Sequence, residues 1–348
     1  MSSGPHFTAM SNRLDRLRAR RTDNYEKQAT LNEVYDRMSE QSSAVKYAIG
    51  AMQPIDPAYT TNTYKEGDRV KNQLENASLA CSFEYQGSVT CDIHIRAHSD
   101  IDLLTLTCKF ETNDGPIAPG SRYGGSWRDD LITLRRDSAA TLRQKFPEAT
   151  VDTSGSKSVS IEGGSLRRKI DVVTSNWRNT LDYNRTRQPR DRGVDILDTS
   201  ISNTLRNLPF LHNDRIDTKD KRTMGGLRKA IRLLKSLRYD SSSGVDLSSY
   251  DIAAIGYAMD DARLTVTRGL ELQLVENCKN HLDFLVENPS HRQSLDVPNG
   301  TRRIFCAEGA TVKGLTQLQG EVGQLLYDIH HDLSRSFRKL AAARIEYS

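Results

Sequence analysis

Two acids at i, i+2 spacing, Asp100 and Asp102, open the run SDIDLLTLTCKF, a short polar stretch after the dipeptide Gly87-Ser88 in YQGSVTCDIHIRAHSDIDLL. The apolar, β-branched run reads as a buried strand, and that spacing puts both carboxylates on one face of it. Paired hard oxygen donors suit divalent cations that also touch substrate phosphates, and two such ions can stabilise both the attacking and the leaving oxygen of an in-line displacement. A third carboxylate is then expected nearby. The best candidate is Asp171 in RRKIDVVTSNW, in the middle of a second apolar strand, where aspartate is otherwise disfavoured. Gly87 lets a backbone N–H approach a phosphate, and Ser88 adds a hydroxyl at an expected helix start, where the dipole favours anions. Any one acid can be explained as a strand end or an arginine partner. The three motifs in this order imply metal-dependent nucleotidyl transfer from a triphosphate.

Elements that must position these groups follow from periodicity. Residues 11 to 52 are helical in pattern, with Leu14, Leu17, Leu31, Val34, Tyr35, Met38, Val45 and Ile49 forming apolar stripes. PIDPAYTTNTY reads as a linker, followed by a helix from about Lys65 to Leu79 that delivers the chain to the catalytic strands. A Gly- and Pro-containing loop leads into an amphipathic helix, WRDDLITLRRDSAATLRQKF, and ATVDTSGSKSVSIEGG suggests a hairpin before the Asp171 strand. A mixed sheet flanked by helices is expected, hence an α+β fold. Beyond about Lys219 the chain is mostly helical. In the helix from Leu227, the residues Leu227, Ile231, Leu234 and Leu237 form the apolar face, leaving Lys229, Arg232 and Lys235 off that stripe.

Composition bounds the function. The 348 residues can bury a substantial core, and a net charge of +4 excludes a polybasic tail protein. Arg13, Arg16, Arg18, Arg20 and Arg21 form a local cluster, read as a solvated helix face or, alternatively, a surface for nucleic acid. No apolar run approaches the ~20 residues of a membrane span, and the first residues lack a signal-peptide core, so a cytoplasmic protein without membrane insertion is expected. The five cysteines are then expected to be reduced. Cys278, His281, His291 and Cys306 could be read as a loose zinc set, but their spacing matches no compact finger.

On the Gly87-Ser88 turn, the SDID pair, the acid of KIDVV and the block LRKAIRLLKSLRYDSSSGVDLSSYDIAAIGYAM, the sequence resembles the DNA polymerase β superfamily. Within it, the chain is similar over most of its length to the cGAS/DncV-like nucleotidyltransferases (CD-NTases) of bacterial anti-phage defence. The resemblance implies a polymerase-β-like palm with a mixed sheet plus a C-terminal helical lobe. Its pieces would be N-terminal helices packing on both lobes at 1–52, the palm at 53–205, and the helical lobe with a terminal tail at 206–348. It implies that Asp100, Asp102 and Asp171 hold two magnesium (or manganese) ions and carry catalysis. Gly87, Ser88, Lys235 and Ser249 would bind the donor triphosphate, and Tyr250 would stack on a base.

The expected product is an oligonucleotide signal made from NTPs or dNTPs with pyrophosphate release. A downstream effector protein would sense it, and nucleic-acid binding would arise through the product. The favoured form is a linear DNA oligomer, as in the Hailong defence type, primed on Tyr347 because the chain ends ARIEYS. Alternatives are a cyclic oligonucleotide, as in CBASS defence, or a nucleotide-adding toxin acting on tRNA or protein.

Overall fold

The computed structural model describes residues 5–21, 38, 41–96, 99–116, 123–201 and 203–346, with side chains for these except 5–9, 11 and 335–346. In chain order come α1 (Pro5–Arg21), α2 (Ser43–Met52), α3 (Pro57–Asn76), β1 (Cys81–Gln86), β2 (Ile101–Asn113), α4 (Trp127–Lys145), β3 (Thr150–Asp152), β4 (Val159–Gly163) and β5 (Leu166–Asn179). Then follow α5 (Leu181–Thr186), β6 (Gly193–Asp198), β7 (Asn203–Asn207), α6 (Pro209–Arg222), α7 (Gly226–Asp240), α8 (Ser249–Tyr257), α9 (Asp261–Leu264), α10 (Gln273–Glu287), α11 (Pro289–Ser294) and α12 (Val312–Glu346). Two compact units result: Ile55–Asp217, and Met1–Pro54 together with Thr218–Ser348. The N-terminal helices are thus counted with the C-terminal ones.

The unit Ile55–Asp217 is built on a seven-stranded mixed sheet, in the order β1-β2-β5-β4-β3, with β6 joining β5 and β7 joining β6. Among the described residues, only the central pair, β2 and β5, is parallel. Alternation along these strands sorts the side chains. Ile101, Leu103, Ile170 and Val172 pack with Val70 and Leu74 of α3 and Leu142 of α4 into one core. Leu104, Leu106 and Val173 point the other way and pack with Trp177 and Phe210. Asp102 and Asp171 share that second face, because they alternate with the first set. The segment expected to be a linker is instead the start of α3: the Asp56 carboxylate accepts the Ala58 N–H at 2.7 Å, and Pro57 occupies the first turn. A capping acid followed by proline starts a helix, which outweighs the threonines read as linker.

In the helical unit, α7 lies against α1, α2, α8, α10 and α12. Its stripe of Leu227, Ile231, Leu234 and Leu237 is buried as expected, but so are Arg232 and Lys235. Neighbours on several sides cover more of the helix than its leucine stripe, and the Arg232 Nε–H satisfies the Met52 carbonyl at 2.9 Å. Of the arginine cluster, Arg16 and Arg18 keep the expected exposure, but Arg13, Arg20 and Arg21 turn inward, which corrects the solvated-face expectation for these three. Arg20 binds the Asp240 carboxylate at 2.6 and 2.5 Å, Arg13 pairs with Glu321, and Arg21 donates to the Gln53 and Pro54 carbonyls. All three guanidinium groups are buried, because this unit supplies acids and free carbonyls along α1. Among the described residues, no helix is long and apolar enough to cross a membrane.

Candidate active site

Register brings the sequence-predicted acids together. Asp102 of β2 lies directly opposite Asp171 of β5, and Asp100 stands just before β2 on the same alternation. The row continues across the sheet, Gln86 opposite Asp102 on one side, and Ser160 then Asp152 beyond Asp171 on the other.

Gly87 follows β1 with φ +93°, a backbone that side chains rarely adopt. A Cβ built there would fall well inside 3.0 Å of the Asp102 Oδ2, closer than real Cβ atoms come. The dihedral angle calls for glycine, and any Cβ there would also push the Asp102 carboxylate aside. Ser88, expected at a helix start, sits in a turn instead. Thr90 Oγ1 donates to the Gly87 carbonyl at 2.8 Å, the Ile93 N–H returns to the Ser88 carbonyl at 3.1 Å, and Asp92 takes φ +53°. A left-handed residue and these closing bonds end the turn before a helix can propagate.

The charges are unequal. Lys169, two residues before Asp171 on β5, places its ammonium 3.1 Å from Asp171 Oδ2 and 3.7 Å from Asp100 Oδ2. Arg96 reaches Asp100 from outside at 3.9 Å. Burial, then the neighbouring charges of Asp171 and Asp100, push the Asp102 carboxyl up to about 7, and Lys169 offsets only part of this. The cluster is therefore a set of hard oxygen donors in which burial and like charges work against the charged form of Asp102. That fits a divalent ion such as magnesium or manganese in donor type and in charge. Among the described residues, no three His, Cys, Asp or Glu side chains already converge as a metal-binding group.

A cavity of about 320 Å³ opens beside Asp102, walled by Gln86, Lys157, Ser158, Arg206 and Asn207 over a floor that includes Val173 and Ile196. Its size falls in the ordinary range of small-molecule sites. Sequence reasoning missed these residues and Lys169. Gln86 was legible as the neighbour of Gly87, whereas Arg206 and Asn207 arrive on β7 through sheet pairing alone.

Lys235, Ser249 and Tyr250 belong to the helical unit. Lys235 is buried in α7, and Ser249 is exposed at the first turn of α8, where Ser248 is the N-cap and accepts the Asp251 N–H at 3.0 Å. Tyr250 donates its hydroxyl to Asn299 Oδ1 at 3.0 Å and carries the Arg302 guanidinium 5.4 Å from its ring centroid. The loose zinc set does not assemble: Cys278 is buried against Met259, the His281 ring meets the Ile255 carbonyl, and Cys306 is exposed. All five cysteines are free. Tyr347 lies outside the described residues.

No family model matches the chain. Similar whole proteins are nevertheless found. A cyclic dinucleotide synthase CdnE of Yersinia aleksiciae is 41% identical over 283 residues, spanning 79% of this chain and 74% of the relative. A c-di-GMP synthase of Lachnospiraceae bacterium (strain RUG226) is 30% identical over 319 residues, 84% of this chain and 89% of the relative. Among solved structures, the STING-associated CdnE c-di-GMP synthase of Capnocytophaga granulosa superposes with a TM-score of 0.76 at 29% identity, covering 92% of this chain and 99% of the other.

Proposed function

We propose a function from one premise: the chain belongs to the CdnE cyclic dinucleotide synthases of the CD-NTase family, and is a nucleotidyltransferase. It joins nucleoside triphosphates into a cyclic dinucleotide, releasing pyrophosphate at each bond. Carrying this reading is the pairing of Asp102 with Asp171 across parallel strands, with Gly87 set against the Asp102 carboxylate.

Asp100, Asp102 and Asp171 are the residues proposed to hold two magnesium or manganese ions. When bound, such ions lower the pKa of an attacking hydroxyl and neutralise the departing phosphates. In each step the acceptor hydroxyl oxygen bonds to the donor's α-phosphorus, the bond to the bridging oxygen breaks, and pyrophosphate leaves with the electron pair. Asp171 is the proposed recipient of the hydroxyl proton. The Gly87-Ser88 turn faces the donor phosphates, while Lys235, Ser249 and Tyr250 remain proposed nucleotide contacts on the motif match alone.

The product favoured here is c-di-GMP, supported by the Lachnospiraceae and Capnocytophaga relatives, and the partner is a STING-type receptor that senses it. The linear DNA oligomer primed on Tyr347 is set aside in favour of the cyclic alternative, because proteins similar over three quarters or more of this chain are cyclic dinucleotide synthases. The same relatives give no support to a tRNA- or protein-modifying toxin.

The test is incubation of the purified protein with all NTPs and dNTPs plus magnesium or manganese, then mass spectrometry after phosphatase treatment. The expected product resists phosphatase and forms from GTP alone. A phosphatase-sensitive linear chain, or a nucleotide–protein adduct, overturns the reading.

A further inference from the structure

We propose that Lys169 is a built-in counter-ion of the catalytic carboxylates, one that metal must displace, so that this lysine lowers the enzyme's affinity for its metal. The inference rests on the reading of Asp100, Asp102 and Asp171 as metal ligands.

Placement argues first. Lys169 and Asp171 are two residues apart on β5 and so share a face, the one that also carries Asp102. The ammonium bridges two strands' worth of acid, at 3.1 Å from Asp171 and 3.7 Å from Asp100. It stands against the oxygens a metal would need. Charge argues second. Lys169 pairs with Asp171 and Asp100, and the peripheral Arg96 with Asp100 alone, each with a single positive charge, whereas a divalent ion brings two. A cation that is adequate but not ideal is what a stronger cation replaces.

Mobility argues third. The Lys169 side chain is about one-third exposed, at 34%, and its four-carbon stem can swing. It has somewhere to go. Glu162 of β4 and Asp152 of β3 both lie within its electrostatic reach. Asp152 is opposite Ser160, which is itself opposite Asp171, so Asp152 shares the face of the inner acids, and Glu162 follows Ser160 by two residues where the β4–β5 register shifts. On this proposal Lys169 pairs with the inner acids without metal and swings towards Glu162 and Asp152 when metal binds, a shift of population between the two.

A plain structural ion pair would behave differently, as would a lysine that binds substrate phosphate. The experiment uses the full chain and its Lys169→Met and Lys169→Arg variants. Mn2+ binding without nucleotide is measured by calorimetry, and thermal unfolding is followed in EDTA and in saturating Mg2+. Lys169→Met should bind Mn2+ more tightly by roughly fivefold or more, the lower end of ordinary coupling between two sites. Its melting temperature should fall below the parent's in EDTA and return towards the parent's in Mg2+. Lys169→Arg should stay near the parent in both. Unchanged or weaker Mn2+ binding in Lys169→Met overturns the proposal, including the case where only the apparent KM for nucleotide rises. Asp100→Asn/Asp102→Asn separates the two layers of argument. If that double variant keeps the parent's Mn2+ affinity, the metal assignment itself fails, and the Lys169 inference falls with it.

Discussion

Gly87→Ala is the substitution whose outcome the structure constrains most tightly. The backbone at residue 87 has φ +93°, and an added Cβ would crowd Asp102 Oδ2 far inside the 3.0 Å that real contacts keep. Two costs follow and can be separated. Forcing a side chain into this dihedral region destabilises by about 1–3 kcal/mol wherever it occurs. Relieving the clash must then move the carboxylate by more than half an ångström, because a flexible side chain yields before a sheet does. Displacements on the order of 1 Å at reacting groups can cost ~10²-fold in rate. Gly163 supplies the control. It also has positive φ, +81°, in the same unit, yet nothing lies within 4 Å of its Cβ position. Gly163→Ala should therefore lose similar stability and keep its turnover, while Gly87→Ala loses roughly 10²-fold in kcat for pyrophosphate release. Circular dichroism melts establish that both variants fold. Should Gly87→Ala turn over within a few-fold of Gly163→Ala, the placement of Asp102 by Gly87 has no part in catalysis.

Asp102→Asn should abolish pyrophosphate release without lowering the melting temperature of the metal-free protein. Burial and like charges already hold that carboxyl up to about 7, so a neutral amide relieves repulsion; a marked loss of stability would contradict this. Asp240 joins Arg20 and the Tyr47 hydroxyl, 2.8 Å away, in a buried set, and Asp240→Ala should destabilise by about 3–5 kcal/mol by leaving Arg20 uncompensated. Denaturant titration showing less than ~1 kcal/mol would assign that hub little weight. Burial holds the His281 imidazole down to about 4 against the usual 6.5. The unfolded chain therefore takes up this proton first as pH falls, so folding stability is full above about 6.5 and is lost towards 4. Between pH 7 and 5 this one group should remove about 2 kcal/mol, and His281→Gln should shrink the pH dependence by that amount. An identical pH profile in the variant refutes the linkage.

The acids were legible because the rule that locates them is local. Asp100 and Asp102 share a face by spacing alone, and Asp171 stood out as an acid inside an apolar strand. Their pairing was not legible, since the Asp102–Asp171 register depends on a parallel crossover that runs through α4, β3 and β4. Lys235 shows the same limit in a helix. One stripe of leucines predicts one buried face, and the burial of Lys235 itself depends on how many other helices surround α7. The arginines of α1 misled for a similar reason, because Asp240 and Glu321, which receive two of them, lie more than two hundred residues away in the chain.

Lys169 is the instructive omission. Its spacing from Asp171 is the same i, i+2 that made the Asp100 and Asp102 pair informative, so the sequence already placed it on the face of Asp171. It went unread because a lysine beside an acid is usually a solvated ion pair of little weight, worth about 0–1 kcal/mol. What changes its meaning is the company on that face: the row from Gln86 through Asp102, Asp171 and Ser160 to Asp152 crosses five strands, and Lys169 sits just off it. A cation against one carboxylate is a surface detail. Against two carboxylates proposed to accept a metal, it becomes the proposed competitor, and the strength of that competition would be a property of the sheet register rather than of any single strand.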